Sequence, residues 1–537
     1  MRHTRHFLLF MLSMYVFALH AGGCGDSESN TKKNQNIDNG DTATADGTDS
    51  GRSTESEVDS ATGGRDSDSA TDNQFGLLGN RFRFGINGGH RNQSWGDDVQ
   101  AELEARAGCN SQRISLPERH LDKWGYEIEV GDMNAYQALG MHSQVAFLTS
   151  PIRAHSTAPS DVEDWELAYY IPENLYEPVT LPSGEINPDN FWGKYVYDTV
   201  KIYSPWIRVW EIWNEPDYTP VWEDTLTWTD SAPTAAQLPR FNGSIFEYVR
   251  MLRVSREAAT LADPDALIAT GGIGYASFLS AILRYSDNPV DGTVTTVYPK
   301  LGGAYFDVLS FHHYPIYTSG TSDDAVAGFV AHAEDLLQVC HDAGKSDLAG
   351  MEVTESGAPT VALGNYPGGN AYARNYLMKV MVTAHDFGIH GIDWFMLSDG
   401  ALEGESDNPY HYMGLFEDVV SLVSIDEARI KESGVALATL GELLEGASRN
   451  MDSADRWEYP AGVKGVNLIS GQGKVLHVLW ASLPDDESQT VTFSLPSTGT
   501  FNVYRWDYSR TGETQVLNAV QSDSIVLNST PLILVEQ

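Results

Sequence analysis

The chain has 537 residues, of which 42% are hydrophobic and 11% aromatic, so it is long and apolar enough to bury a core. Its formal net charge is −40 at pH 7. A charge of −34 falls on residues 75–537, because residues 25–74 contribute −8 and residues 1–24 contribute +2. Such a surface repels nucleic acid and anionic lipid at long range, which excludes these partners. It weakly disfavours a strongly sulfated or uronate substrate, since a local basic patch can still exist.

Residues 1–24 have the features of an export signal. Arg2 and Arg5 precede the apolar stretch from Phe7 to Leu19, which is too short to span a bilayer. The small residues before Cys24 resemble those of a bacterial lipoprotein signal, in which the cysteine is lipidated. We therefore expect an exported protein that is lipid-anchored through Cys24 at the cell envelope or surface. Ordinary signal cleavage and secretion is the alternative.

Residues 25–74 are rich in Gly, Ser, Thr, Asp, Asn and Glu and contain no aromatic residue. A segment of this composition cannot bury a core, so we predict a disordered acidic tether. The folded part is predicted to begin at residue 75, where apolar residues appear.

Residues 75–446 alternate short β-like runs with amphipathic helical stretches, which predicts a (β/α)8 TIM barrel. An open doubly wound sheet is the structural alternative. It is disfavoured because the glycine cluster at Gly271–Gly274 lacks the pattern of a phosphate-binding loop. The predicted strands are Phe82–Asn87, Ser111–Leu116, Ser143–Leu148, Ile207–Trp213, Ala266–Gly271, Asp307–Phe311, Ala349–Thr354 and Gly391–Leu397.

Residues 447–537 contain only short alternating strands separated by turn residues, which predicts a small C-terminal all-β sandwich domain. Nothing in its sequence is a signature of carbohydrate binding, and we expect it to pack against the barrel.

The cysteine pattern gives no sign of a metal site. Besides Cys24 there are only Cys109 and Cys340, and neither a CxxC nor an HExxH pattern occurs. The two remaining cysteines are expected to be buried free thiols, with a disulfide between them as the alternative.

Two glutamates carry the functional prediction. Glu215 follows the fourth predicted strand in Trp213-Asn214-Glu215-Pro216, and Glu355 ends the seventh in Thr354-Glu355-Ser356-Gly357. The active sites of TIM barrels lie at the C-terminal ends of the strands. Glycosidic-bond cleavage needs two carboxylic acids, one to protonate the leaving oxygen and one to attack or stabilise the sugar cation.

On these residues, the stretch 82–445 resembles a clan A glycoside hydrolase, a retaining, cellulase-like TIM barrel group that includes families 5, 39 and 51. It is nearest to family 39-like or family 5-like members, and the C-terminal β domain favours family 39. The resemblance implies that Glu215 is the acid/base and Glu355 the nucleophile. We therefore predict hydrolysis of β-linked oligosaccharides or polysaccharides by double displacement, in a monomer that needs no metal or cofactor.

Five further residues are predicted to bind substrate or support the glutamates: Arg113, Asn214, His312, Tyr314 and Trp394. Arg113 resembles the clan arginine that stabilises the nucleophile, and Tyr314 is expected to donate a hydrogen bond to Glu355. Asn214 is expected to bind the sugar 2-hydroxyl, His312 to contact Glu215 or the sugar, and Trp394 to form a platform under the sugar.

Four other acids near the strand ends are given lesser roles. Glu211 is expected to be a structural acid inside the barrel, and Glu352 to face away from Glu355. Asp217 and Asp393 are candidate substrate contacts. The long, aromatic connections 150–188 and 217–244 are predicted to form the walls of the cleft.

Three other functions use the same features. A transglycosylase would use the same residues with a sugar in place of water. A non-catalytic carbohydrate-binding protein would keep the barrel as a scaffold, and a surface adhesin would use the β domain as its working part.

Overall fold

The structure is a computed structural model that describes residues 78, 81–89, 92, 94–452, 457–483, 487–496, 499–519 and 523–537. The predicted signal peptide, Cys24 and the acidic tether lie outside the described residues. Within the described ranges, no helix is both long enough and apolar enough to cross a bilayer.

Eight parallel strands close into a barrel in which each strand pairs with its neighbours in chain order, β1 to β8, and β8 returns to β1. The predicted TIM barrel is therefore confirmed. The strands are β1 Arg83–Asn87, β2 Ser111–Ser115, β3 Gln144–Leu148, β4 Ile207–Ile212, β5 Leu267–Ala269, β6 Val308–His313, β7 Gly350–Ser356 and β8 Gly391–Trp394.

Helices surround this barrel, and amphipathic ones such as α6 and α7 bury an apolar face against it. The longer ones have clear start signals. Helix α6 begins after Ser244 and α8 after Thr321, and both starts are capping boxes, completed by Glu247 and Asp324. The helices up to the end of the barrel are α1 Asp97–Arg106, α2 Glu118–Trp124, α3 Val130–Ala138, α4 Phe191–Tyr203, α5 Trp222–Thr225, α6 Ile245–Ala262, α7 Ala276–Arg284, α8 Ser322–Asp342, α9 Asn370–Phe387 and α10 Glu432–Leu443.

The chain then forms a six-stranded antiparallel sheet in the order β14-β13-β16-β11-β10-β9 and a two-stranded sheet of β12 and β15. Side chains of the two sheets share one apolar cluster, in which Phe493 and Leu527 meet Leu479 and Phe501. The predicted all-β region is confirmed. Its elements are β9 Ser448–Arg449, β10 Val463–Ile469, β11 Val475–Ala481, β12 Val491–Ser494, β13 Gly499–Tyr504, α11 Tyr508–Thr511, β14 Thr514–Ala519, β15 Ser524–Leu527 and β16 Leu532–Glu536.

A buried polar contact joins this β region to the barrel. Lys379 of α9 is fully buried and donates to Asp323 of α8 and to Ser529 of the β region, each at 2.8 Å. The indole of Trp480 donates to the same aspartate at 2.8 Å. The buried ammonium group thus has partners in both the barrel and the β region and links them by hydrogen bonds, which agrees with the expected packing of the β region against the barrel.

Cys109 and Cys340 are buried free thiols, as expected. Burial raises the pKa of Cys340 to about 11, so this thiol stays protonated at neutral pH.

Candidate active site

Glu215 and Glu355 meet at the C-terminal end of the barrel. One carboxylate oxygen of each residue and one ring nitrogen of His312 all lie within 4.8 Å of one another. The two side chains are 21% and 13% exposed, so both open to the surface. Residues 140 positions apart in the chain therefore share one site, as the strand-end positions predict.

The backbone at the end of β4 turns sharply to present Glu215. Trp213 and Glu215 both have positive φ angles, +76° and +48°, which non-glycine residues rarely adopt. Three hydrogen bonds hold this turn, from Trp213 N to Leu148 O, from Glu215 N to Gly271 O and from the Trp213 indole to Arg240 O. Because the indole is buried in the core, Trp213 anchors the turn instead of covering the carboxylate of Glu215.

A bulge in β7 positions Glu355. Phe311 pairs with Val353 and His312 pairs with Glu355, so Thr354 is the extra residue. The bulge puts the side chains of Thr354 and Glu355 on the inner side together with Glu352. The expectation that Glu352 faces away from Glu355 is therefore wrong, because it assumed unbroken strand alternation.

Glu355 is held by two donors, one on β2 and one directly after β6. Arg113 Nη1 donates to Glu355 Oε1 at 2.7 Å, and the Tyr314 hydroxyl donates to Oε2 at 2.6 Å. Burial and the negative charge of Glu355 raise the pKa of Tyr314 well above its ordinary value, so its phenol stays a donor. A carboxylate that accepts from a cation and a phenol is stabilised as the anion.

Arg113 also organises its surroundings. It donates to Glu211 at 2.8 Å, to Asn214 Oδ1 at 2.7 Å and to Asn87 Oδ1 at 3.2 Å. Burial opposes its charge, but Glu211 and Glu355 outweigh burial and raise its pKa above the ordinary value. Since the Asn214 oxygen is taken by Arg113, its amide N–H groups remain to face a ligand.

Glu215 lies between two cationic partners. His312 Nδ1 is 3.1 Å from Oε1, and Arg240 Nη1 donates to Oε2. Burial raises the pKa of Glu215, but the charge of Arg240 with the hydrogen bond from His312 outweighs it, and the pKa falls to about 2. In the unliganded protein, Glu215 is therefore an anion.

His312 bridges the two carboxylates. Its Nδ1 is also 3.5 Å from Glu355 Oε2, and its Nε2 is 3.1 Å from the Thr354 hydroxyl. Burial lowers the pKa of His312, but the charges of Glu355 and Glu215 outweigh burial and raise it, which favours the imidazolium. Gly272 makes room for the ring, since a Cβ there would lie 2.1 Å from His312 Nε2.

Below the two glutamates the barrel interior is polar. Glu211 is fully buried and accepts from Arg113, Ser310 and Thr354, which confirms it as a structural acid. Arg83 pairs with Glu352, one layer further from the site.

The two candidate substrate-contacting aspartates are also inside the fold. Asp393 is fully buried beside Arg83. Asp217 is 1% exposed and accepts the backbone N–H groups of Gly274 and Tyr275, each at 2.8 Å. Both predictions of a substrate contact are wrong, because these carboxylates are closed off from solvent.

Trp394 does not reach the site. Its side chain is fully buried, its indole donates to Met413 O at 2.9 Å, and its ring packs on Tyr376. The prediction that Trp394 forms the sugar platform is wrong, because a ring with no exposed face cannot stack on a ligand. The next residue, Phe395, instead packs edge-on against Tyr314 and Tyr410 beside the glutamates.

The predicted aromatic loops fall into two groups. Trp228 is fully buried between Tyr275 and Phe278 and holds its loop in place. Tyr218, by contrast, is partly exposed and stacks under the guanidinium of Arg240, with 3.9 Å from the guanidinium carbon to the ring centroid.

The sequence patterns did not single out Arg240, Tyr317 or Tyr410. These residues lie in connections after β4, β6 and β8, and the hydroxyls of the two tyrosines are 3.0 Å apart. A lone arginine in a loop has no periodicity to mark it. The one available signal was that the loop carrying Arg240 is long and rich in aromatic residues.

Glu215, His312 and Glu355 are also a set of donors that a metal ion could use. The charges around them oppose this use, because Arg113 and Arg240 already occupy an oxygen of each carboxylate and the imidazole tends to be protonated. In this site the two carboxylates are therefore neutralised by cationic side chains of the protein.

No model of a known protein family matches the chain, and no curated protein matches it. Its fold is similar to that of a family 39 glycoside hydrolase from Bacteroides cellulosilyticus WH2, at 16% identity and a TM-score of 0.55, over 86% of this chain and 82% of that one. A family 30 endoxylanase from Clostridium papyrosolvens C71 aligns at 14% identity and a TM-score of 0.50, over 86% and 98% of the two chains. A glucosidase from Croceicoccus marinus aligns at 13% identity and a TM-score of 0.51, over 85% and 96%.

At these identities the likeness establishes the fold. The predicted resemblance to clan A glycoside hydrolases of the family 39 type is confirmed at that level. Because one fold can host many unrelated functions, the function depends on the residues of the site itself.

Proposed function

We propose that this protein is an exported retaining glycoside hydrolase that cleaves β-linked oligosaccharides or polysaccharides by double displacement. The observation that carries the proposal is the approach of Glu215 and Glu355 to within 4.8 Å between carboxylate oxygens. Retaining enzymes keep their carboxyl groups about 5–5.5 Å apart, whereas inverting enzymes need about 6.5–9.5 Å to admit a water.

In the first step Glu355 attacks the anomeric carbon. Its partners suit this role, because Arg113 and Tyr314 keep it ionised and oriented. Glu215 gives its proton to the leaving oxygen, and a covalent bond forms between the sugar and Glu355.

In the second step Glu215, now an anion, takes a proton from water. The resulting hydroxide attacks the anomeric carbon and breaks its bond to Glu355. The sugar leaves with its original anomeric configuration, and both glutamates return to their starting charges. His312 touches both carboxylates and stabilises the negative charge that shifts between them.

Two other residues position the substrate. The amide N–H groups of Asn214 are not used by Arg113, so they can donate to the sugar 2-hydroxyl, a contact that strengthens in the transition state. Phe395, Tyr317 and Tyr410 supply aromatic surface on which the apolar face of a sugar can stack.

We further propose that a lipid on Cys24 anchors the protein to the cell envelope. Its substrate is a saccharide, and the protein acts as a monomer. Labelling of cells with a palmitate analogue tests the anchor, because Cys24→Ser should lose the label while an unchanged export signal keeps the protein secreted.

The activity is tested with the purified protein on a panel of β-linked polysaccharides and aryl β-glycosides. The matched variants are Glu355→Ala, Glu215→Ala and the control Glu102→Ala, which removes an exposed glutamate on α1. We expect Glu102→Ala to match the wild type, and both catalytic variants to lose most of their activity on substrates with unactivated leaving groups. NMR of the first product should show the same anomeric configuration as the substrate. An inverted product would disprove double displacement, and tight saccharide binding without turnover would favour a binding protein. Added acceptor sugar that diverts most of the product would identify a transglycosylase.

A further inference from the structure

The proton donor of the proposed reaction is paired with an arginine in the free protein. Arg240 donates to Glu215 Oε2 and lies on the ring of Tyr218. Among the described residues, Glu215 is the only hydrogen-bond acceptor that this side chain contacts. A guanidinium has five N–H donors, and 17% of this side chain is exposed, so Arg240 can still bind a ligand group.

This pairing conflicts with the first step of the reaction. Glu215 must carry a proton when the glycosidic bond breaks, yet Arg240 stabilises it as an anion. Arginine does not lose its own charge at any pH a protein tolerates. Protonation of Glu215 is therefore favoured when the guanidinium releases the carboxylate oxygen.

Releasing that oxygen has an electrostatic cost. A mostly buried guanidinium without an anion is unfavourable, because it loses its partner and is not fully hydrated in exchange. A second anion at the same place removes this cost. The local charge is then unchanged, since the new anion replaces the negative charge that protonation of Glu215 removes.

Arg240 and His312 bind different oxygens of Glu215. His312 Nδ1 is 3.1 Å from Glu215 Oε1 and 3.5 Å from Glu355, so that oxygen faces the nucleophile. Arg240 binds the other oxygen, Oε2. In double displacement the leaving group departs from the face opposite the nucleophile, beside the acid/base.

We propose that Arg240 binds an anionic substituent, a carboxylate or a sulfate, on the sugar at the leaving-group side of the scissile bond, and that this exchange of partners frees Glu215 to take up the proton it donates. The proposal rests on the glycoside hydrolysis proposed above. The planar fork of a guanidinium fits a carboxylate or sulfate with two parallel hydrogen bonds. One anion per binding event is compatible with the acidic surface, because exposed charges beyond about 10 Å are screened at 0.1 M salt.

The test compares leaving groups that differ by one charge. Phenyl, 3-carboxyphenyl and 3-sulfophenyl β-glycosides are made of the sugar that the activity screen identifies, and kcat/KM is measured against pH. The variants are Arg240→Gln, Arg240→Lys and the control Arg429→Gln, which removes the same charge from a side chain that is 79% exposed. The hydrogen bond from the Trp213 indole to the backbone oxygen of Arg240 does not involve the Arg240 side chain, so both variants at 240 keep it.

In the wild type and in Arg429→Gln, an anionic leaving group should raise kcat/KM by about tenfold or more over phenyl, the size of a charge-assisted hydrogen bond. The preference should vanish in Arg240→Gln and shrink in Arg240→Lys, which keeps the charge without the fork. With the phenyl glycoside, Arg240→Gln should also move the basic limb of kcat/KM to higher pH, as the pKa of Glu215 rises from about 2 towards its ordinary 4.5. A purely structural role would move neither the preference nor the limb.

An equal ratio of anionic to neutral kcat/KM in the wild type and in Arg240→Gln overturns the proposal. Preference for the carboxyphenyl over the sulfophenyl glycoside, or the reverse, identifies the anion. The 2,4-dinitrophenyl glycoside separates this failure from that of the proposed function, because its leaving group needs no proton. If the wild type does not cleave even that substrate, the glycosidase proposal itself fails.

Discussion

Glu355 and Glu215 lie side by side, but their environments are built differently. The donors to Glu355 come from the barrel itself, with Arg113 on β2 and Tyr314 directly after β6. Glu215 shares His312 of β6, but its second partner, Arg240, belongs to a loop between α5 and α6. The barrel thus fixes the charge of one carboxylate, while a loop, which can vary without disturbing the barrel, sets the charge of the other.

The largest effect should follow from removing the nucleophile. Glu355→Ala should lower kcat/KM by roughly 10⁴-fold or more on every substrate, activated or not, because no leaving group replaces the lost covalent step. Hydrolysis of the 2,4-dinitrophenyl and phenyl glycosides measures this loss. Retention of activity on the activated substrate would contradict the assignment of Glu355.

Glu215→Ala should instead separate the two substrates. Its loss should be roughly 10²- to 10⁴-fold on the phenyl glycoside, the usual contribution of general acid catalysis. With the 2,4-dinitrophenyl glycoside, cleavage of the bond to the leaving group should persist. The covalent intermediate should then accumulate, because water is no longer activated, and this should appear as a burst of released dinitrophenol. If the losses on the two substrates were equal, Glu215 would not be the acid.

The parts of this site that the sequence predicts lie on barrel strands or directly after them. Arg113, His312 and Glu355 lie in β2, β6 and β7, whereas Glu215 and Tyr314 follow β4 and β6. Positions near the C-terminal strand ends of a parallel barrel converge at one end. The resemblance to clan A then suggested a role for each, and these roles stay predictions.

The rest depends on local irregularity or on loops. The bulge at Thr354 brings Glu355 to the same side of β7 as Glu352, and no residue type in β7 announces such a bulge. At the end of β8 a ring was expected at the site, but Trp394 is buried and Phe395 takes that place, a shift of one residue that no pattern encodes. Arg240 contacts Glu215 only through the path of a loop.

Tyr314→Phe tests how much one donor of the barrel contributes to the role of Glu355. Loss of the hydroxyl removes the hydrogen bond at 2.6 Å to Glu355 Oε2. We expect kcat/KM to fall by about tenfold, because the carboxylate is then less well oriented for attack. The same change in Tyr317, whose hydroxyl is 3.0 Å from that of Tyr410, is the matched control and should keep kcat/KM close to the wild-type value. Unchanged kcat/KM in Tyr314→Phe would show that Arg113 alone is enough to hold Glu355 in place.

The smallest expected effect concerns the other side of the same strand. His312 faces the carboxylates, whereas His313 packs outside the barrel against His332, with ring centroids 5.8 Å apart. Burial lowers the pKa of His313 to about 3, with the nearby His332 adding to this, and burial lowers the pKa of His332 to about 4. The unfolded chain, with histidine pKa values near 6.5, therefore binds more protons than the folded protein between about pH 4 and 6.5.

It follows that these two histidines make the protein less stable as the pH falls through that window, and do not affect stability above it. His332→Phe removes one such site while keeping a ring stacked on Phe311. Urea unfolding should show that the variant loses about 1 to 2 kcal/mol less than the wild type between pH 7 and pH 5. His341→Phe, at a histidine whose side chain is 84% exposed, should follow the wild type. If the free energy of unfolding depended on pH in the same way in His332→Phe and in the wild type, the His332 ring would be hydrated enough to be protonated in the folded state. The two sides of β6 would then differ less in polarity than their contacts indicate.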